Sequence, residues 1–364
     1  MKKKIYICSL AVALTLAAVA FINGRVLRPA AASSGNALSS LPASDIVITL
    51  DTQRLLSETL PTMLADNPDL LAKANTKIEL FNKEMGIDLH TFDSVAVGLR
   101  FVPPSADNFD AVVVASGHFN SSQVIEAAFA TAKKKHGDFQ RREEQREGKT
   151  IFIVDETRRA TLSSTSPAAA TDTPQAEGQP KFEAQTRRSS KQMAIVALDA
   201  TTLAFGDLKS VRAAVDASLG RERVDDELVR MATQNPSALI GFSGRIPSAM
   251  TEKMAASNKG MEAKYMASIR KFYGSVNAVG ADIETFIAVQ TEKPNQAQDI
   301  SQALNAVKLL SGLSIAQPGR GEIRSLAELL KDLSITAQDN EVQIKLNIKQ
   351  KDLAPFMRRH QLNR

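Results

Sequence analysis

The 364-residue chain has no tryptophan, three tyrosines, four histidines and one cysteine. A single cysteine cannot pair within the chain, which excludes a disulfide scaffold. The histidines stand alone at positions 90, 118, 136 and 360. They cannot form the His-Glu-x-x-His pair of a zinc protease, which needs two imidazoles on one helix face. No Gly-x-Ser-x-Gly nucleophile turn and no Gly-x-x-x-x-Gly-Lys-Ser/Thr phosphate loop occurs. Gly319-Arg320-Gly321 has no strand closely before it, so it reads as a loop rather than a dinucleotide fingerprint. Past Cys8 there is no thiol nucleophile.

A strong charge imbalance is missing as well, although the formal net charge is +5. Lys2, Lys3, Lys4, Arg25 and Arg28 account for it, because residues 1–32 contain no acid. The rest of the chain balances 40 bases against 40 acids. Nucleic-acid binding needs a net or local basic surplus, so that class of partner is excluded as the reason for the basic pI.

What is present begins with the leader. Lys2–Lys4 precede the uncharged, mostly apolar run Ile5–Ile22, followed by Asn23-Gly24 and the small residues Pro29–Ser33. This is the pattern of a secretory signal, with cleavage sites at Ala30-x-Ala32 or Ala18-x-Ala20. The apolar run is also nearly long enough to span a bilayer, so residues 1–32 read as a signal peptide or an N-terminal anchor. Membrane contact is expected through residues 5–22 alone. Cys8 lies too early in the run to be a lipidation site.

The body has the apolar content of a globular chain, at 43% hydrophobic residues. Residues 33–41 are small and polar and read as a linker. Asp45–Leu50 reads as a strand and a helix follows from Thr52, interrupted at Pro61. Asn67 and Pro68 form a helix start, and Leu71, Ala74, Ile78, Phe81 and Met85 make one apolar face that ends at Gly86. Strands are expected at Ser94–Phe101, Ala111–Ala115, Phe139–Gln145, Thr150–Val154, Met193–Leu198 and Thr202–Phe205. Helices are expected at Ser121–Lys135 and Lys209–Leu219.

The second half repeats this plan. The segment from Asp110 matches the segment from Thr285 at an offset of 175 residues. Ile125, Ala128, Phe129 and Ala132 then align with Ile300, Ala303, Leu304 and Val307 as inward-facing positions. Leu41-Pro42-Ala43 before one strand matches Asn235-Pro236-Ser237 before another. Later, Asp199 aligns with Asp339 at an offset of 140. The lost 35 residues match residues 155–192, a Ser/Thr/Ala/Pro-rich stretch read as a disordered insertion in a hairpin. Asp199-Ala200-Thr201 and Asp339-Asn340-Glu341 read as hairpin turns, with Asn340 the residue suited to left-handed geometry.

The fold class is therefore α+β: two related modules, each an antiparallel or mixed sheet with helices on one face. They span 42–230 and 235–364, and a groove is expected between them. The stretches Gly86–Gly98 (GIDLHTFDSVAVG) and Asp199–Leu208 (DATTLAFGDL), with the leader, resemble a group of uncharacterised exported bacterial proteins that carry repeated α+β modules. That resemblance spans most of the body and implies no activity, cofactor or site residue.

Some residue groupings carry two readings. Ser268 and Lys271 match the Ser-x-x-Lys acylating pair but lack its Lys-Thr-Gly and Ser-Asp-Asn partners, so they read as an exposed helix face. Asp282 and Glu284 share a strand face, either as a carboxylate pair or as a solvated surface; the second is preferred. Arg141–Glu147 (RREEQRE) reads as a salt-bridged hairpin arm. Met250, Met254, Met261 and Met266 read as core packing rather than a binding groove. No catalytic, cofactor-binding or metal residue and no cofactor is assigned.

The expected function is an exported, non-enzymatic binding or interaction protein of the bacterial envelope, in the periplasm or at the membrane. Its partner would be a protein, a lipid or a small molecule, and nucleic acid is excluded. The alternatives are an exported hydrolase assembled from scattered residues and a structural spacer at the membrane surface.

Overall fold

The computed structural model describes residues 35–102, 108–136, 141–154, 192–248, 251, 265, 267–280, 282–314 and 332–350. The chain forms an α+β fold around one sheet. Its strands are β1 (Ile46–Asp51), β2 (Phe92–Phe101), β3 (Phe109–Gly117), β4 (Arg141–Arg146), β5 (Lys149–Val154), β6 (Met193–Asp199), β7 (Thr202–Asp207), β8 (Ile240–Arg245), β9 (Ile269–Val279), β10 (Asp282–Thr291), β11 (Ser334–Gln338) and β12 (Glu341–Ile348). All twelve join in the order β11-β12-β10-β9-β8-β1-β2-β3-β7-β6-β5-β4, and every pairing is antiparallel.

The sheet runs unbroken across the place where a groove was expected. β1 pairs with β8, with Val47 opposite Ser243 and Leu50 opposite Ile240. Outward from that pair the order is β1-β2-β3-β7-β6-β5-β4 on one side and β8-β9-β10-β12-β11 on the other, so the first side carries two further strands, β5 and β4. The hydrogen-bonded ladder takes the place of a cleft because both strands would otherwise present unpaired backbone groups.

Helices cover the two faces unequally. On the front lie α1 (Gly35–Ser39), α5 (Leu208–Ser218) and α6 (Asp226–Ala232). They bury the inward stripe of β1, β2, β3, β7, β6 and β5, including Val47, Val114, Ile151 and Val196. On the back lies the segment α2, built from Thr52–Arg54, a π turn at Leu55–Thr59, and Leu60–Met63. α3 (Pro68–Met85) packs on α2 through Leu71, Ala74 and Ile78. α4 (Ser121–His136) places Val124 against Ala115 and Leu203 on the back of the first half. α7 (Pro294–Ser314) places Ala297 and Ile300 against Val342 on the back of the second.

Four local expectations are corrected by this arrangement. Residues 33–41 are not a plain linker, since Gly35–Ser39 is helical and Ala37, Leu38 and Leu41 enter the front core. Pro61 does not interrupt its helix. The chain widens into the π turn, Leu60 donates to the carbonyl of Leu55, and the ring is accommodated in the next turn. Val307 faces outward, 60% exposed. Ala297, Ile300 and Leu304 set the inward line, and at about 100° per residue Val307 and Lys308 flank it on opposite sides. Lys308 donates to the Leu333 carbonyl. In the β11–β12 hairpin the left-handed residue is Asp339, not Asn340. Asn340 instead uses its side-chain amide to donate to the Thr291 carbonyl.

Close approaches fix the centre of the sheet. A Cβ on Gly241 of β8 would lie 1.9 Å from the carbonyl oxygen of Ala232 in α6. Gly148, in the β4–β5 turn, has φ of +73° and nothing within 4 Å of its missing Cβ. Gly241→Ala is expected to cost about 1–3 kcal/mol, through overpacking that moves α6 off the β1–β8 pair. Gly148→Ala should cost roughly 1 kcal/mol of backbone strain and leave packing intact. Urea unfolding of both variants checks this, and equal losses would contradict the packing account.

Candidate functional site

Residues directly opposite each other across an antiparallel ladder share a face. On the front of the second half this places Tyr273, Ala288, Gln343 and Thr336 in one row. Ser275, Phe286, Lys345 and Ser334 form the next row. The front helices α5 and α6 pack on strands of the first half and on β8 and β9. Among the described residues, no helix packs across the front of β10, β12 and β11. Ser334, Thr336, Gln338 and Lys345 are exposed there.

The centre of this face is built rather than merely uncovered. Tyr273 and Phe286 meet edge to face at 5.9 Å and 61°. The Lys345 ammonium stands 6.0 Å from the Phe286 ring centre, at the limit of a cation–π contact. The Tyr273 hydroxyl donates to Glu341 Oε2 at 2.9 Å. Gln290 donates to the same oxygen at 3.2 Å, and Gln343 donates to Oε1 at 2.9 Å. Glu341 is thus a fixed acceptor holding three strands in register. Burial, then the Glu341 hydrogen bond and charge, push the Tyr273 phenol up from 10.0 to about 12.

The residues singled out in the sequence fall in several places. Asp282 and Glu284 share this front face, with Glu284 opposite Asn347 and exposed, as a solvated strand surface would be. Ser268 and Lys271 are not an exposed helix face. Ser268 is buried and donates to the Tyr265 carbonyl, while Lys271 lies on β9 and pairs with Glu227 of α6. Two residues separate them across a helix-to-strand junction, so each finds its own partner. His90 sits against Asp88 and His118 against Asp93. Among the described residues, no three His, Cys, Asp or Glu side chains gather as a metal site. The side chains of Met250, Met254, Met261 and Met266, and residues 155–191, lie outside the described residues; β5 and β6, which flank that insertion, pair as a hairpin.

Arg141–Glu147 is a charged edge, as expected, but most of its partners are on neighbouring elements. Arg212 of α5 grips both oxygens of Glu144, which holds that carboxyl below the usual range. Arg146 pairs with Asp216 at 2.6 Å, Arg221 with Glu147 at 3.1 Å and Arg141 with Glu126 at 3.2 Å. Arg141 also lies over the rings of Phe129 and Phe152. A cleft of about 380 Å³ opens between α4 and the β5 and β6 strands. Its polar lining is committed to structure: Lys149 donates to the Leu198 carbonyl, and Asp199 accepts from Thr201.

The front rows were not found from sequence. The usable signal was the alternation Lys271, Tyr273, Ser275 and Asn277 along β9, which marks a polar-aromatic face. The pairing that joins it to Glu341 is not local.

Comparison with protein-family models finds no match, and comparison with curated proteins finds none. Solved structures of low likeness are found. One is "Structure of crystal form III of TP0453", 9% identical with TM-score 0.43, covering 89% of this chain and 98% of that one. Another is "Structure of crystal form I of TP0453", 8% identical with TM-score 0.38, covering 89% and 97%. Likeness at this level carries no functional argument. Among the described residues, no helix is long and apolar enough to cross a membrane.

Tyr273 generates a pH prediction. Its folded pKa lies above its unfolded one, so the unfolded chain loses the proton first. The stabilisation is present below pH 10 and is lost as pH rises from about 10 to about 12. Phenolate absorbance should show a late-ionising tyrosine that Tyr273→Phe removes. Alkaline loss of stability in that window should also flatten in the variant. A titration that Tyr273→Phe leaves unchanged would refute the assignment.

Proposed function

We propose that the protein is an exported, non-enzymatic binding or interaction protein of the bacterial envelope, and that the front of β10, β12 and β11 is its contact surface. The observation that carries the reading is the rigid aromatic-polar face itself. Tyr273 and Ala288 are buried beneath it, Phe286 packs edge to face on Tyr273, Glu341 is fixed by three donors, and the accessible groups carried on that base are Glu284, Ser334, Thr336, Gln338 and Lys345. Pre-organised aromatic and polar groups on a scaffold are what a contact surface requires, because little side-chain entropy remains to be lost. A flat surface three strands wide, about 14 Å at the usual strand spacing, suits a protein partner better than an enclosed small molecule.

Export is supported by the basic Lys2–Lys4 and the apolar run Ile5–Ile22. Two related modules are supported by the matching strand order on either side of β1 and β8, together with the offsets of 175 and 140 residues in sequence. The resemblance to uncharacterised exported bacterial proteins agrees with both points.

Photo-crosslinking side chains placed at Thr336 and Lys345 test the surface in the living envelope. A discrete adduct at both positions, and none at Leu80 of α3, is the expected result. Equal labelling at all three would remove the front face as the contact surface. Intact mass of the envelope fraction should show either a chain starting at Ser33 or a membrane-bound full-length chain. A full-length protein confined to the cytosol would overturn export.

A further inference from the structure

The sheet has two edges with opposite chemistry. An edge strand exposes unpaired backbone donors and acceptors, and proteins blunt such edges with charge. β4 is blunted: its sequence RREEQR is charged at five of six positions, and ion pairs to α4 and α5 hold those charges in place. β11 is not. Its sequence SITAQ carries no charge, and among the described residues it pairs on one side only, with β12. Ser334, Thr336, Ala337 and Gln338 are exposed.

The helix above this edge adds a second observation. α7 packs chiefly on β11, so it lies over the outermost strand and not over the middle of the sheet. Its Asn305 amide donates to the Ile335 carbonyl at 3.1 Å. Leu309 is 71% exposed and Val307 is 60% exposed. Val307 and Leu309 point to opposite sides of α7, so at most one of them can flank the open edge, and backbone pairing is the main thing that edge offers.

We propose that β11 pairs antiparallel with β11 of a second copy of this chain, about a two-fold axis at Thr336. An antiparallel edge is self-complementary, because the two-fold brings Ser334 opposite the second copy's Gln338 and Thr336 opposite its own counterpart. No like charges meet within the paired segment. The axis stands perpendicular to the sheet, so both front faces point the same way and merge into one surface. The pairing does not depend on the contact role proposed for that surface.

Area sets the strength. β11 is five residues long, and at about 3.4 Å per residue spans about 17 Å. A strip of that length and about 15 Å deep covers on the order of 250 Å² per copy. That is below the roughly 800 Å² per partner of a standard stable interface, so the dimer is a dissociating one.

Sedimentation of the full-length chain over a range of concentrations, in the detergent or buffer that keeps it dispersed, tests this. A reversible monomer–dimer equilibrium is expected. Thr336→Lys and Thr336→Asp should each weaken it at least tenfold, since each sets like charges face to face. Mixing the two variants should restore the dimer through the opposite pair. Thr336 is exposed, so circular dichroism and melting of both variants should match the parent chain. In a Cys8→Ser background, Thr336→Cys should form an intermolecular disulfide on mild oxidation, and Gly148→Cys, at the opposite edge, should not. A monomer at every concentration, a dimer indifferent to both charges, or no recovery on mixing would each overturn the proposal.

Discussion

The rest of the structure depends on the antiparallel ladder between β1 and β8. Without it the chain would have two smaller sheets and four edges. With it there is one sheet and two edges, and both central strands are paired on each side. The ladder dictates local sequence as well. Thr49 opposes Gly241, whose missing side chain lets the carbonyl of Ala232 approach. Ser243 opposes Val47 and donates to the Leu228 carbonyl at 2.7 Å, which pins α6 over the junction. Leu239 and Ile240 meet Leu50 and Leu55 on the back. The junction is therefore packed on both faces, and relative movement of the halves would cost core contacts as well as hydrogen bonds.

From this centre the burial declines unevenly. The first half is covered on the front by α5 and α6 and on the back by α4. The second half has α7 on the back, and the front of β10, β12 and β11 relies on its own side chains. This explains why Glu341 is so heavily bonded. Among the described residues no helix lies above these strands, and Tyr273, Gln290 and Gln343 tie them together through one carboxylate. The first half meets the same need at Asp207, which accepts from the backbone of Ala111 at 2.7 Å.

Much of the element order was legible in the sequence, because it rests on local periodicity. The apolar stripe of α3, the Gly86 stop at φ of +66°, and the strands β2, β3, β6 and β7 follow from spacing alone. Errors arose where a distant contact decides the outcome. Pro61 is tolerated because the helix found a wider turn, and of the two residues flanking the end of the α7 stripe it is Lys308, not Val307, that finds a partner on the sheet side, at the Leu333 carbonyl. Ser268 and Lys271 drew attention as a motif, yet their partners lie elsewhere. The surface built around Tyr273 was invisible because its rows are made by strands up to about seventy residues apart, and no local pattern encodes register over such a span. The β1–β8 pair, nearly two hundred residues apart in sequence, was hidden for the same reason.

The location of the open face also has a thermodynamic logic. Local unfolding free energy is lowest where few apolar side chains are buried, and binding surfaces are commonly drawn from that end of the scale. β11 and β12 stand at the rim of the sheet, far from the β1–β8 ladder. What keeps them ordered is one-sided: Asn305 and Lys308 of α7 hold the carbonyls of Ile335 and Leu333 from the back. Anchoring the strands from behind confines the structural duty of the front side chains to Glu341, its donors Tyr273, Gln290 and Gln343, and the Tyr273–Phe286 contact. The same division is absent on the first half, where front and back are both core. The fold has thus put stability into one half and accessibility into the other, and the continuous sheet is what lets the stable half support the exposed one.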